Sequence, residues 1–457
     1  MKNRHNVCLI NKNMIKSVYR ILGRKHSKMD KIEQFIKIEN SLPDILILIF
    51  GKQIAKISKI KFARPYYDFF YSITLFKLRC LAKKRKIRVG FWVTESSKWT
   101  AQDVYNRLHN DEKFEPFIML SYFKKPQENL SPKEHFEKSK EDFEKLGDKV
   151  YSAYDTETGS FKELKEFKPD IIFYQQPWQI PEKQVLAKNY KSALLCYIPY
   201  CFYSIDSYVN YLPKFHGVLW KYFIETDLHK KEYAEKYGAT NCVVTGSVKL
   251  DGYHNINMEN TENYWKSEGK KRIIYAPHHS FNDGIHELAT FKENGKFILE
   301  LAKKHPETEW IFRPHPVFAE RVIKNSIMTE DEIKEYYNEW KKIGYISKEE
   351  NYYEMFSSSD LLITDCISFL SEYAPTLKPV FHLRKDFQKE DFNKLVKEID
   401  TTYYQIYSND ELEKLFERVV VNNDDFLENE RKNNSKILPT KELAGENIYN
   451  YLKTMLL

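Results

Sequence analysis

Leu361–Phe369 reads LLITDCISF, and the switch in the middle of it decides the fold. Leu361 to Thr364 are apolar or β-branched, as in a short strand buried on both faces. Asp365 ends that run, and Ser368 and Phe369 open a helical stretch that goes on through Glu372 and Tyr373. A strand that turns directly into a helix is the unit of a parallel α/β sheet. The same switch occurs twice upstream. Strand 272–276 (RIIYA) runs into PHHS and a helix over 285–304; strand 309–313 (EWIFR) runs into PHP and a helix over 329–342. Short strands at 345–346 and 379–382, and a short helix at 352–358, complete the pattern.

The alternation extends toward the amino terminus. Strands are expected at 86–95 (KIRVGFWVTE), 114–120, 149–152, 170–174, 193–198, 222–225 and 242–245, with helices over 100–110 and 132–147. Around 246–260 the chain reads as a connector. The predicted architecture is α/β: two doubly wound parallel-sheet domains, 86–250 and 251–435, facing a cleft. An arm over 1–85 reads as helices with no strand signal. The tail from 410 reads as helical, with 436–457 as a carboxyl-terminal helix.

Composition narrows the class. The 457 residues are 42% hydrophobic and 15% aromatic, enough for more than one packed core. Cys8, Cys80, Cys196, Cys201, Cys242 and Cys366 form no CxxC pair and no zinc-spaced cluster. The start resembles no secretory signal, and the most apolar run, 42–51, is too short to span a bilayer. The expectation is a cytoplasmic protein with free thiols. Charge is uneven: residues 1–86 hold 21 Lys/Arg against 5 Asp/Glu, in a chain whose total is only +7. The basic character belongs to the arm, and the rest of the chain is acidic. Basic residues interleaved with aromatic ones, as in ARPYYDFFYSITLFKLRCLAKK (63–84), suit an anionic membrane surface better than nucleic acid, which is not expected as a partner. A solvated helix packed on the main body is the alternative.

Ligands of open parallel sheets sit beyond the carboxyl ends of the strands. YAPHHS (275–280), FRPHP (312–316) and TDCISF (364–369) all fall there. The helix start at Ser368 and Phe369 offers unpaired amides and a hydroxyl to a phosphate. Glu372, one turn on, has two oxygens that suit the two hydroxyls of a ribose. The plainer alternative is that Asp365 or Ser368 caps the helix and Glu372 lies on the surface. Pro314 and Pro316 stiffen the backbone around Arg313 and His315, a cation and an imidazole suited to a diphosphate leaving group. His278 and His279 are candidates for the base that deprotonates an acceptor hydroxyl. Adjacent histidines also raise metal binding, but no acidic pair at ligand spacing accompanies them, so neither metal nor cofactor is expected. CYIPYCFYS (196–204), GSVKLD (246–251) and Trp92, Thr94, Glu95 and Trp99 are weaker candidates for the facing wall. No GxGxxG, P-loop, GxSxG or HExxH motif is present.

The order APHHSF, FRPHP, SDLLITDCISFLSEYAPTLKPVF resembles the carboxyl half of the CDP-glycerol glycerophosphotransferase family, teichoic-acid-polymerase-like enzymes of the GT-B fold. The likeness covers about 242–385, and the first half resembles capsule- or lipopolysaccharide-associated members more loosely. It implies transfer of a polyol phosphate from a CDP-polyol to an acceptor hydroxyl carried on polysaccharide or lipid, with CMP released and no metal. Carried over residue by residue, His315 and Arg313 would hold the departing phosphate. Ser368, the amides beside it and Phe369 would hold the diphosphate, and Glu372 and Asp365 the nucleoside. The family's polymerases carry a catalytic histidine in a WHGT-type segment of the amino-terminal domain. The counterpart here, CYIPYC, has none, which moves the expected base to His278 or His279. Two other readings stay open: a GT-B glycosyltransferase using a CMP- or UDP-sugar, and a non-catalytic nucleotide-binding or scaffold protein of the same fold.

Overall fold

The computed structural model describes residues 36–40, 44–49, 52–121, 131–160, 162–175, 192–205, 213–259, 264–281, 287–349, 351–385, 392–439 and 442–457. The first 35 residues of the arm lie outside them. Two parallel sheets dominate. The amino-terminal sheet contains β4 (Ile87–Val93), β5 (Phe114–Leu120), β6 (Val150–Ser152), β7 (Ile171–Tyr174), β8 (Leu194–Tyr197), β9 (Lys221–Ile224) and β10 (Cys242–Val244), in spatial order 10-9-8-7-4-5-6. The carboxyl-terminal sheet contains β11 (Lys271–Ala276), β12 (Thr308–Phe312), β13 (Gly344–Ile346), β14 (Leu361–Thr364), β15 (Val380–Leu383) and β16 (Tyr404–Ile406), in order 13-12-11-14-15-16. In both, the strand order reverses beside the first strand, which makes each sheet doubly wound.

Strand alternation explains why such short runs hold. Ile273, Tyr275, Phe312, Ile363 and Phe381 pack into one apolar cluster, while Ile274, Ala276, Ile311, Leu362 and Val380 pack into another. Successive side chains point to opposite faces, so one apolar run feeds two helix layers. A half-apolar strand could cover only one of them. The strand β16 escapes the sequence reading because YQI carries little apolar signal; Tyr404 and Ile406 are nonetheless buried.

The arm differs from its reading. Residues 36–58 are strands, not helices: β1 (Ile36–Asn40), β2 (Asp44–Ile49) and β3 (Lys52–Ser58) form an antiparallel sheet of their own. The period-two isoleucines of IKIEN and DILILI are the cause, with Ile54 and Ile57 of KQIAKIS adding further β-branched residues that favour the pleat. Among the described residues of the arm, α1 (Lys59–Ala82) is the expected helix. One side of it packs on the amino-terminal domain through Tyr71, Leu78 and Ala82. Arg64 and Tyr71 also donate to the carbonyls of Leu219 and Val218, just before β9.

Several contacts join the domains, among them the ion pair of Lys394 with Glu235 at 3.0 Å. The loop after β8 reaches across: Ser204 Oγ lies 3.0 Å from Ser371 Oγ, and Asn393 N donates to the Ser204 carbonyl at 3.0 Å. The chain also returns at its end. Helix α2 (Ala444–Leu456) packs Ala444, Ile448, Leu452 and Leu456 into the core of the amino-terminal domain. Asp251, in the connector between the domains, accepts from the amides of Ala444 and Gly445, both at 2.8 Å. It thereby fixes the start of α2 against the connector. Asp251→Ala strands these two buried donors and should cost about 1–3 kcal/mol. Urea denaturation would show this as a lowered midpoint; an unchanged midpoint would mean that the connector does not depend on this carboxylate.

Candidate active site

Register fixes where the functional loops emerge. Tyr275 pairs with Phe312, Ala276 with Thr364, and Thr364 with His382. The carboxyl ends of β11, β12, β14 and β15 are therefore level, and the segments that follow leave one edge of the sheet side by side.

Asp365 holds this edge together. Its Oδ1 accepts from His278 N at 2.5 Å, and its Oδ2 accepts from Thr290 N at 2.6 Å and Thr290 Oγ1 at 2.8 Å. The residue is buried, and burial raises its pKa, opposed by those amide and hydroxyl donors. Both oxygens are engaged inside the domain, so Asp365 positions the histidine loop. The resemblance gave it the nucleoside instead.

The three histidines stack. The His278 and His279 rings lie 4.5 Å apart, and those of His279 and His315 lie 3.9 Å apart at 27°. Backbone amides settle two tautomers, since an N–H can only donate. Ser280 N donates to His278 Nδ1 at 3.1 Å, and Val317 N donates to His315 Nδ1 at 3.3 Å. In the neutral form each ring then carries its proton on Nε2. Burial, with His279, Arg313 and Arg321 adding to it, lowers the His315 pKa to about 3. His315 is therefore a neutral Nε2–H donor at physiological pH.

Beside it lies a cationic pocket around Tyr352. The guanidinium of Arg313 is 4.8 Å from the Tyr352 ring centre and 5.8 Å from that of Phe369, and its Nη1 donates to Ser347 Oγ at 2.6 Å. The Lys249 ammonium is 5.2 Å from the same Tyr352 ring. Tyr352 in turn donates its hydroxyl to the carboxylate of Glu372. Glu372 is buried, not on the surface, and Tyr253 Oη donates to its carbonyl at 2.6 Å. Burial raises the Glu372 pKa, against the pull of Lys249, the Tyr352 hydroxyl and Arg313. Neither Lys249 nor Arg313 is in an ion pair with another described residue. The pocket thus has two cations, one buried carboxylate and a donor imidazole, an arrangement that favours an anion.

Ser368 sits at the start of helix 367–373 with its hydroxyl 3.3 Å from Cys366 Sγ. Sequence reasoning missed Tyr352 and Ser347, and left Lys249 as a weak candidate within GSVKLD. These lie outside the three strand ends, and no spacing joins them to it. On the facing domain, burial pushes the Cys201 thiol up to about 12, with the charges of Glu372 and Glu225 adding to the effect. Trp92 is core, as is most of Trp99, which packs at 5.4 Å against Phe91 and Phe143. Glu95 is buried with Lys98, and its Oε2 is 3.4 Å from His135 Nε2. Among the described residues no His/Cys/Asp/Glu cluster could hold a metal ion.

Two doubly wound domains bridged by the Ser204 loop and the returning helix, with the pocket on the strand ends of the second, define a GT-B-like protein. Residues 219–432, just under half of the chain, match the family model described as CDP-Glycerol:Poly(glycerophosphate) glycerophosphotransferase. The carboxyl-terminal domain is thus similar in sequence to that family. No curated protein matches the chain in sequence. Among solved structures it is similar to a histidine variant of the wall teichoic acid polymerase TagF, at TM-score 0.53 and 12% identity, over 83% of this chain and 93% of that one. It is equally similar to UDP-GlcNAc 2-epimerase from Neisseria meningitidis bound to UDP-GlcNAc, at TM-score 0.53 and 15% identity, over 81% of this chain and 100% of that one. At such identities the likeness is one of fold.

The His315 pKa has a consequence for stability. It lies below the ordinary value of 6.5 because the folded state disfavours the imidazolium. The unfolded chain therefore takes up the proton first, and this contribution to stability is lost as pH falls from 6.5 toward about 3. His315→Gln should flatten the stability profile in that window. A variant that keeps the wild-type slope there would show that His315 is not the buried neutral group.

Proposed function

We propose that the protein moves a glycerol- or ribitol-phosphate group from a CDP-activated donor to an acceptor hydroxyl. The product would belong to a surface polysaccharide, a capsule or a teichoic-acid-like polymer. The observation that carries this is the pair of cations over Tyr352, Lys249 and Arg313, next to the neutral donor His315 in the family-matched domain.

Chemically, the acceptor oxygen attacks the phosphorus that bears the polyol, and the bond from that phosphorus to the bridging oxygen of CMP breaks. Charge builds on the departing CMP phosphate. Lys249 and Arg313 offset that charge without a metal, and the Nε2–H of His315 hydrogen-bonds the leaving oxygen. The acceptor proton goes to a histidine. His278 is poorly placed for this, since its Nδ1 already accepts from Ser280 N and its Nε2 carries the proton. His279, stacked between the other two rings, is the better base. Glu372, fixed by Tyr352, is oriented for the ribose hydroxyls, and the start of the 367–373 helix with Ser368 lies toward the diphosphate. Phe369, beneath Arg313, limits that cation's freedom.

Thermal-shift measurements with CDP-glycerol, CDP-ribitol, CMP-sugars and UDP-sugars would choose among donors. Stabilisation by the CDP-polyols over the sugar nucleotides is expected. Preference for a CMP- or UDP-sugar would make the protein a glycosyltransferase, and no response to any nucleotide would favour a non-catalytic role. In a CMP-release assay, Lys249→Met should weaken donor binding by about 10–100-fold, as for loss of a charge-assisted contact. His279→Ala should lower kcat by about 10²–10⁴ while keeping donor affinity. If His278→Ala and His279→Ala both retain full turnover, neither histidine is the base.

A further inference from the structure

A second cavity opens on the same edge of the carboxyl-terminal sheet, at the ends of β15 and β16. Leu383 pairs with Ile406, and Arg384 N donates to the Ile406 carbonyl at 2.8 Å. Arg384 and Lys385 therefore leave the sheet beside Tyr407 and Ser408. With the start of the helix Phe291–Lys304 they enclose about 230 Å³. Buried Leu383, Ile406 and Leu412 form the apolar part of the wall. The donor chemistry leaves this cavity unused.

Size and lining say what would fill it. Pockets for drug-sized ligands run to roughly 300–1,000 Å³. This one is too small for a nucleoside diphosphate and large enough for a few carbons and a phosphate. Arg384 and Lys385 bring two cations, and Glu293 is the carboxylate of the described lining. The Arg384 fork is held at the rim: its Nη1 donates to Gln405 Oε1 at 3.0 Å, and its guanidinium lies 5.9 Å from the Tyr407 ring centre. The Lys385 ammonium faces Glu293 at 3.7 Å, too long for a direct hydrogen bond, and the Glu293 side chain is half-exposed. Such a pair is worth little in water. It yields to a ligand that offers a phosphate to the lysine and hydroxyls to the carboxylate. Asn409, held by its Nδ2 on the Glu293 carbonyl at 3.2 Å, adds an amide beside that carboxylate.

The cavity also adjoins the histidine loop. Thr290 lines it and donates both its amide and its hydroxyl to Asp365, whose other oxygen holds the amide of His278. One residue thus belongs to the cavity wall and to the anchor of the loop.

We propose that this cavity binds a polyol phosphate distinct from the donor, its phosphate between Arg384 and Lys385 and its hydroxyls toward Glu293 and Asn409. The choice of a polyol phosphate over another small phosphate rests on the transfer proposed above. Two sources carry this chemistry: a unit of the acceptor chain, or a free polyol phosphate from solution.

The test is calorimetric titration of the full chain with glycerol 3-phosphate, ribitol 5-phosphate and inorganic phosphate, and separately with CDP-glycerol. One of the polyol phosphates should bind at least about tenfold more tightly than inorganic phosphate, through its hydroxyls, and should still bind with CDP-glycerol present. Arg384→Gln/Lys385→Gln should lose at least about tenfold of that affinity and keep the affinity for CDP-glycerol. Lys385→Gln alone should lose a smaller factor, and Lys249→Met should show the opposite pattern. In the CMP-release assay, an acceptor unit in the cavity makes free glycerol 3-phosphate competitive with the acceptor, and Lys385→Gln then raises the acceptor KM. A free ligand instead alters turnover without competing; either pattern supports the cavity. If a polyol phosphate binds and CDP-glycerol does not, the donor reading falls and the cavity stands. Four results would overturn the proposal: no binding of either polyol phosphate, binding no tighter than that of inorganic phosphate, binding abolished by CDP-glycerol, or full affinity in Arg384→Gln/Lys385→Gln.

Discussion

The strand-end loops of the carboxyl-terminal domain depend on where the buried carboxylate of Asp365 finds its partners. It sits at the end of β14 and takes an amide from the loop after β11 and both an amide and a hydroxyl from Thr290. The two ends of the segment between β11 and the helix 291–304 are thereby tied to one strand end. The cost of burying the carboxylate is offset only because three donors face it. With the loop after β11 pinned, His279 falls against His315, and the stack of imidazoles follows. A residue whose type suggests direct contact with a ligand instead gives the loop its shape.

The electrostatics around that stack rest on segregation. Arg313 and Lys249 flank Tyr352, which bonds the buried carboxylate of Glu372, while the neighbouring His315 is kept neutral by burial and by the charges beside it. A neutral imidazole with a known tautomer offers a hydrogen bond without adding a third charge to a desolvated pocket.

The two sheets were legible in the sequence because their strands are short apolar runs ended by polar loops, a pattern with few alternatives once it repeats. The three loops were legible for the same reason: a parallel sheet sends every strand end to one edge. Two things were not. The strands over 36–58 are hidden among basic residues, which also suit helices, and their period-two isoleucines compete with that signal. Lys249 and Tyr352 come from a connector and a short helix, and only the tertiary fold brings them to Arg313. Asp365 shows the converse limit, since the family resemblance gave it the nucleoside while its oxygens accept from His278 N and Thr290.

Helix α1 joins two readings that the sequence set against each other. A basic aromatic helix can pack on its own domain or meet an anionic surface, and composition cannot choose. Periodicity separates the two, because they concern different sides of the helix. Tyr71, Leu78 and Ala82 recur at seven and four residues and occupy one side, while Tyr66, Phe69, Ile73 and Phe76 occupy another. The buried side fixes the direction in which the exposed side points. An aromatic face on a free helix could turn inward and hide in solution, whereas this one is held outward by the hydrogen bonds of Arg64 and Tyr71. Because the orientation is set by folding, binding a surface through it costs little further ordering, which is the condition under which a stripe of four side chains can suffice.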